Sequence, residues 1–144
     1  MSQVKNSRRK LIEGRAALIV VDIQGELFVE REVQAIPCMP NFDKRMAKAR
    51  IAIDKARECG IPVIFIQEVH RIDLVDFGRE LDGSEDVHCL EDDPNTAIAA
   101  RELDFRSTDY LIRKRRYSAF FGTDFEILLR GLKVDTLLLC EGLT

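Results

Sequence analysis

The 144-residue chain holds no apolar run approaching the roughly eighteen residues that a membrane-spanning helix needs, so no such helix is expected within it. It has no G-x-S-x-G, no P-loop and no G-x-G-x-x-G, which leaves serine-hydrolase and nucleotide-binding readings without support. Its four cysteines, Cys38, Cys59, Cys89 and Cys140, lack C-x-x-C spacing and read as free thiols of a reducing compartment. Only two histidines and four prolines are present. A net charge of −3 argues against a whole-protein affinity for nucleic acid or an acidic membrane. What remains is ordinary for a globular chain: 46% hydrophobic, 33% charged, and long enough for one domain with a real core.

Residues 1–15 form a polar, charged N-terminal arm. The basic residues up to Arg15 followed by AALIVV superficially resemble a secretory signal. The apolar run is too short, ends at Asp22 and lacks a small-residue cleavage site, so it reads as a buried strand and the protein as cytoplasmic. From Ala16 onward the pattern is strand, helix, strand, loop, strand, helix, strand. AALIVVD (Ala16–Asp22), PVIFIQ (Pro62–Gln67), YLIR (Tyr110–Arg113) and VDTLLLC (Val134–Cys140) are continuous apolar runs of the kind that fill a parallel sheet covered on both faces. Phe42, Met46, Ala49, Ile53 and Ala56 step by four, three, four and three along a helix that Asn41 begins and Cys59-Gly60 ends. A short helix is expected near Thr96–Glu102. A capping box, Thr123-Asp-Phe-Glu126, opens a helix striped by Phe125, Leu128, Leu129 and Leu132. The expected fold is therefore α/β, a parallel sheet with helices on both faces. Residues 68–95 form a long polar loop, a length that is usually functional in a compact domain.

In open parallel sheets, ligands bind outside the carboxyl ends of the strands. That rule selects Asp22–Gln24, Glu68–Arg71, Lys114–Tyr117 and Glu141–Thr144. A buried Asp22–Lys114 pair would hold and shuttle a proton; the plainer readings are a structural ion pair or two separate solvated charges. RKRR (Arg113–Arg116) lacks interleaved aromatics and reads as a solvated strand end rather than a nucleic-acid patch. Glu68 and His70 share one face of a strand, and His88 could fold back onto them as a metal ligand; a hydrogen-bonded loop histidine is the alternative. Adjacent His88-Cys89 makes a poor nucleophilic pair, and Cys140 reads as a small hydrophobe of the last strand.

Taken in order, these segments resemble the isochorismatase-like cysteine hydrolases, the superfamily of nicotinamidase, N-carbamoylsarcosine amidase, ureidoacrylate amidohydrolase and biuret hydrolase. ALIVVDIQ resembles the family's first strand and its aspartate. IRKRRYSAFFGTDFEILLR is similar to its lysine segment, K-P-R-Y-S-A-F-x-x-T-x-L-x-x-L-L-R. DVHCLEDDPNTAIAAREL resembles H-C-x-x-G-T-x-x-A-x-x-x-x-L, and VDTLLLCEGLT resembles the strand leading to G-[IV]-x-T-[ND]-x-C-V. The resemblance covers residues 16–144 and implies one isochorismatase-like domain there, incomplete at its C-terminus. It implies that Asp22 is the general base and that Lys114 holds it beside a thiolate. It further implies a cis peptide at Gly142-Leu143 that turns the Leu143 N–H to an oxyanion. Phe28, Glu68, His70, Arg71, Tyr117 and Phe120 are then substrate-binding residues.

The family nucleophile would lie three residues beyond Thr144, seven positions after Cys140, so Cys140 does not inherit that role. In nicotinamidases an Asp-x-His pair and a later histidine bind a metal. Glu68-Val-His70-Arg71 instead resembles the metal-free amidases, so no cofactor is expected, with Glu68, His70 and His88 as the lesser, divalent-metal reading. The implied activity is an amidohydrolase cleaving the C–N bond of a small carbamoyl, ureido or carboxamide substrate through a thioester, in a homo-oligomer. A catalytically silent scaffold and an isochorismatase-type ether hydrolase are the alternatives.

Overall fold

The structure, a computed structural model, describes residues 10–25, 41–83 and 85–141, without the side chains of Asp43 and Glu80. Among the described residues, four strands form one parallel sheet: β1 (Ala16–Val21), β2 (Val63–Glu68), β3 (Tyr110–Lys114) and β4 (Thr136–Glu141). Their order is β3-β2-β1-β4, so the chain reverses its direction of travel across the sheet after β3, and β1 and β2 lie in the middle. β1 pairs with β2 from Leu18↔Val63 to Val21↔Ile66, and with β4 from Ala16↔Thr136 to Val21↔Glu141.

The helices divide between the two faces because successive strand side chains alternate. Leu18 and Val20 of β1, with Val63 and Phe65 of β2, meet α1 (Phe42–Glu58) through Met46, Ala49, Ile53 and Ala56. Leu103 of the four-residue α2 (Ala100–Leu103) joins this cluster, and Phe105 contacts the Phe65 ring edge-on at 5.0 Å. On the other face Ala17, Ile19, Ile64, Ile66 and Ile112 meet α3 (Phe125–Gly131) through Phe125, Leu128 and Leu129. The expected α/β architecture and both helical stripes are found.

Several local expectations change. The strand ends move by one or two residues, and β2 and β3 each run one residue further than expected, so Glu68 and Lys114 are their last residues rather than loop residues beyond them. The region assigned to one short helix divides into a 3₁₀ turn, Pro94–Thr96, and α2, because Ala97 and Ala99 take non-helical angles between them. Asn41 stands at the head of α1 in the left-handed conformation (φ 58) and makes no side-chain capping bond. The capping box does not form: Asp124 heads α3, Thr123 Oγ1 accepts from the Phe125 N–H at 3.1 Å instead of that of Glu126, and Glu126 turns outward to Arg130 at 2.6 Å. Gly60, at φ 66, does end α1 as expected.

β4 is an edge strand whose inner residues Leu138 and Cys140 pack on the α1 face while Leu139 on the other side is 72% exposed. A cavity of about 790 Å³ opens between α1 and β4, floored by Leu18, Ala52, Leu138 and Cys140. Cys59, Cys89 and Cys140 are free thiols, and no described helix is long and apolar enough to cross a membrane.

Ile53 sits wholly buried at the centre of the α1 seam, whereas Ile51 on the same helix is exposed. Ile53→Ala is expected to cost about 2–5 kcal/mol by lost burial and a residual cavity, and Ile51→Lys less than about 0.5 kcal/mol. Urea unfolding of the two variants checks this contrast; equal losses would remove Ile53 from the core.

Candidate active site

Glu68 and Lys114 are register partners at the carboxyl ends of adjacent strands. With a side-chain period of two, Glu68 continues the row Ile64-Ile66 on β2, and Lys114 continues Ile112 on β3. The same hydrophobic patterning that fixes the core thus sets a carboxylate beside an ammonium. Lys114 Nζ lies 2.8 Å from Glu68 Oε2 and also 2.8 Å from Asp22 Oδ2, with the lysine side chain 1% exposed. The expected Asp22–Lys114 pair therefore exists, and a second carboxylate shares its cation.

Asp22 reaches Lys114 by leaving the sheet. Its N–H still donates to the Ile66 carbonyl at 3.1 Å, but its φ of 51 is the left-handed region that non-glycine residues rarely adopt. One oxygen meets Lys114. The other, Oδ1, is buried and has no hydrogen-bond partner among the described residues. Burial outweighs the Lys114 charge and pushes the Asp22 carboxyl up to about 6. Glu68 moves the opposite way. Burial opposes its charge, but hydrogen bonds from His70, His88 and Lys114 hold it well below the usual carboxylate range. Burial likewise works against the Lys114 charge, yet Asp22 and Glu68 together raise its pKa above the ordinary lysine value.

Two histidines complete the cluster on Glu68 Oε1. His70 extends the β2 row by one more alternate position, with its N–H donating to the Cys89 carbonyl at 2.7 Å. Its Nε2 is 3.1 Å from Glu68 Oε1, and its ring stacks on Phe77 with centroids 3.8 Å apart. His88 folds back, as expected, and its Nε2 comes to 3.5 Å from the same oxygen. His88 Nδ1 lies 2.6 Å from the Asp86 carbonyl, which only accepts, so Nδ1 carries a proton. A neutral His88 would then point a lone pair at a carboxylate. Attraction requires a proton or a cation at Nε2. Burial disfavours the imidazolium, but Glu68 outweighs it and raises the His88 pKa.

The donor atoms of Glu68, His70 and His88 lie within 4.8 Å of one another. In type and spacing this set fits a divalent ion, and the Asp86 carbonyl fixes the His88 tautomer as an outer partner of a metal ligand would. The same set is also satisfied by protons, because Lys114 already meets one Glu68 oxygen.

The other expected site residues lie elsewhere. Arg71 is exposed and pairs with Asp73 at 3.3 Å. Tyr117 and Phe120 stand at the surface of the segment before α3; the Tyr117 hydroxyl is 3.3 Å from Glu85, and Phe120 contacts Phe125 at 4.8 Å. Glu68 and His70, by contrast, are buried within the cluster around Lys114, His70 through its contact with Glu68. Phe28, Gly142, Leu143 and the cis peptide expected at Gly142-Leu143 fall outside the described residues. RKRR is not one solvated strand end: Lys114 is buried, Arg113 donates to Gln67 Oε1 at 3.2 Å, and Arg115 donates to the Val69 carbonyl at 2.8 Å. Cys140 is half-buried on the α1 face, where burial pushes its thiol up, as suits a packing residue. The sequence reading missed Asp76 and Phe77, which flank the His70 ring, and the Glu68–Lys114 contact; the alternation 64, 66, 68, 70 was the available signal for the latter.

The chain is similar to known proteins along most of its length. It shares 24% identity over 137 residues with an uncharacterized isochorismatase family protein, YwoC, of Bacillus subtilis, covering 88% of this chain and 62% of the relative. The chain thus spans less than two thirds of that relative's length. Among solved structures, N-carbamoylsarcosine amidase of Thermoplasma acidophilum superposes with a TM-score of 0.72 at 26% identity, covering 89% of this chain and 68% of the other. Pyrazinamidase of Pyrococcus horikoshii, solved in complex with zinc, gives a TM-score of 0.71 at 29% identity, covering 89% and 70%. The family model of the isochorismatase domain matches residues 16–142, and the chain belongs to that family.

Proposed function

We propose that the protein is a cysteine amidohydrolase of the cytoplasm, cleaving the C–N bond of a small carbamoyl, ureido or carboxamide substrate. One observation carries this reading: a buried carboxylate, Asp22, keeps one oxygen unpartnered among the described residues while Lys114 grips the other. A buried acceptor without a donor is costly, and a catalytic role is one reason such a group is retained. The likeness to an amidase and a pyrazinamidase supports the same chemistry. In this reading the nucleophile is a cysteine carried beyond Thr144 in the complete protein.

Asp22 takes the thiol proton, and the thiolate attacks the carbonyl carbon. As the C–N bond breaks, Asp22 returns that proton to the departing nitrogen, which leaves as ammonia or an amine. Water, deprotonated by the same carboxylate, then cleaves the thioester and restores the thiol. Lys114 keeps its proton throughout, since two carboxylates hold it charged, and it stabilises the negative charge that moves between Asp22 and sulfur. Glu68 stays ionised. Were a divalent ion bound, Glu68, His70 and His88 would hold it, and it would supply Lewis-acid polarisation of a carbonyl or bound water.

The base must be ionised, so kcat/KM should fall as the pH drops through about 6, the Asp22 value. A pH–rate profile of the complete protein on simple carboxamides and carbamoyl amines checks this; an acid limb near 4 would count against Asp22 as the base. Asp22→Asn should lower kcat/KM by at least about a thousandfold, with the far-ultraviolet circular dichroism unchanged. Retention of more than a tenth of the native rate would remove Asp22 from the chemistry.

Lys114 and His88 already answer the Glu68 charge. Exhaustive chelation should therefore leave turnover unchanged. Loss of turnover on chelation, with recovery on adding zinc, would instead assign Glu68, His70 and His88 to a required metal.

A further inference from the structure

Glu68 faces a gap in its sheet. On one side it pairs with Lys114 of β3. On the other side β1 has already ended at Val21, because Asp22 turns into the left-handed conformation and leads the chain away. The Glu68 N–H and C=O would be buried without a strand neighbour, which carries a heavy desolvation penalty. The Gln24 side chain fills that gap. Its Oε1 accepts the Glu68 N–H at 2.8 Å, and its Nε2 donates to the Glu68 carbonyl at 3.0 Å. One carboxamide thus presents the acceptor and the donor that a neighbouring strand would have offered.

The same Nε2 donates to the Thr96 carbonyl at 2.6 Å, and it lies 3.5 Å from Cys89 Sγ, beside His88. Gln67 Nε2 adds a second donor to that Thr96 carbonyl at 2.9 Å. The Gln24 main chain is bridged as well: the Gly25 N–H meets the Ala97 carbonyl at 2.8 Å, and the Ala99 N–H meets the Ile23 carbonyl at 3.1 Å. Gln24 is 2% exposed, so these bonds do not compete with solvent. They anchor the chain two residues after Asp22, the end of β2 at Glu68, and the loop that carries His88.

We propose that Gln24 is a positioning residue, its carboxamide standing in for the missing strand neighbour and holding Glu68 and Asp22 in register on Lys114. Only the kinetic arm of its test rests on the amidohydrolase reading.

Gln24→Met keeps a similar volume but makes none of these bonds. In the complete protein it should lower kcat about a hundredfold, the scale of a misplacement near 1 Å, with KM within about threefold. Gln24→Glu, which as a neutral acid restores the acceptor and one donor, should recover part of that loss. Ile53→Ala serves as the destabilised comparison, remote from the site, and should keep its kcat. A Gln24→Met kcat no lower than that of Ile53→Ala would overturn the proposal. A second measurement needs no turnover: the buried Lys114 ammonium should give a slowly exchanging nitrogen-15 signal in the native chain. That signal should be lost in Gln24→Met while the amides of β1 and β2 stay protected; its survival there would overturn the proposal too. If the native protein hydrolyses no amide, yet the signal still vanishes in Gln24→Met, the amidohydrolase reading fails and the role of Gln24 stands.

Discussion

One ammonium group, 2.8 Å from each of two buried carboxylates, constrains everything around it. Removing such charges from water costs several kcal/mol per ion, and mutual attraction repays this only when the geometry is tight and the remaining lone pairs are satisfied. A flexible loop could not hold that geometry. Here Glu68 and Lys114 end two paired strands, and Asp22 directly follows a third, all in one sheet whose register is fixed by apolar residues on both faces. The hydrophobic core acts as the jig, and the charges are seated at its edge.

That view explains which parts were legible in the sequence. Continuous apolar runs and the α1 and α3 stripes are statements about water, and they gave the sheet, the helices and the carboxyl-end location directly. Asp22 and Lys114 were found because a charge at the end of such a run stands out, and because the segment around Lys114 resembles a known one. The Glu68–Lys114 contact was harder to read. It depends on which residue of β2 lies beside which residue of β3, and parallel strands separated by forty residues carry no local turn signal that fixes their register. An error of one residue at a strand end was enough to place Glu68 and Lys114 in loops.

Local polar contacts were the least legible. The Asn41 cap and the Glu126 half of the capping box fit their sequence patterns, yet neither side chain bonds as the pattern suggests. Glu126 has Arg130 one turn along, and a salt bridge on the helix surface competes with the reach back to Thr123. Gln24 shows the opposite case: nothing in DIQG announces a glutamine that completes a sheet. Its role exists only because β1 ends early at a left-handed aspartate, a backbone choice that no side-chain pattern encodes.

The asymmetry between the two carboxylates follows from counting their partners. The Glu68 carboxylate meets Lys114 on one oxygen and His70 and His88 on the other. Asp22 receives Lys114 alone, and its second oxygen has no described donor. Both are buried and share the same cation, but the histidines donate to Glu68 alone, while the Glu68 and Glu141 charges add to the burial that raises Asp22. These differences lower Glu68 and leave Asp22 near 6, close enough to neutrality to exchange a proton and ionised enough to accept one. Interchanging the residue types would not interchange these properties. In the proposed mechanism the base is set by the donors its neighbour already holds: one lysine serves both carboxylates, and the two histidines fall to Glu68 alone.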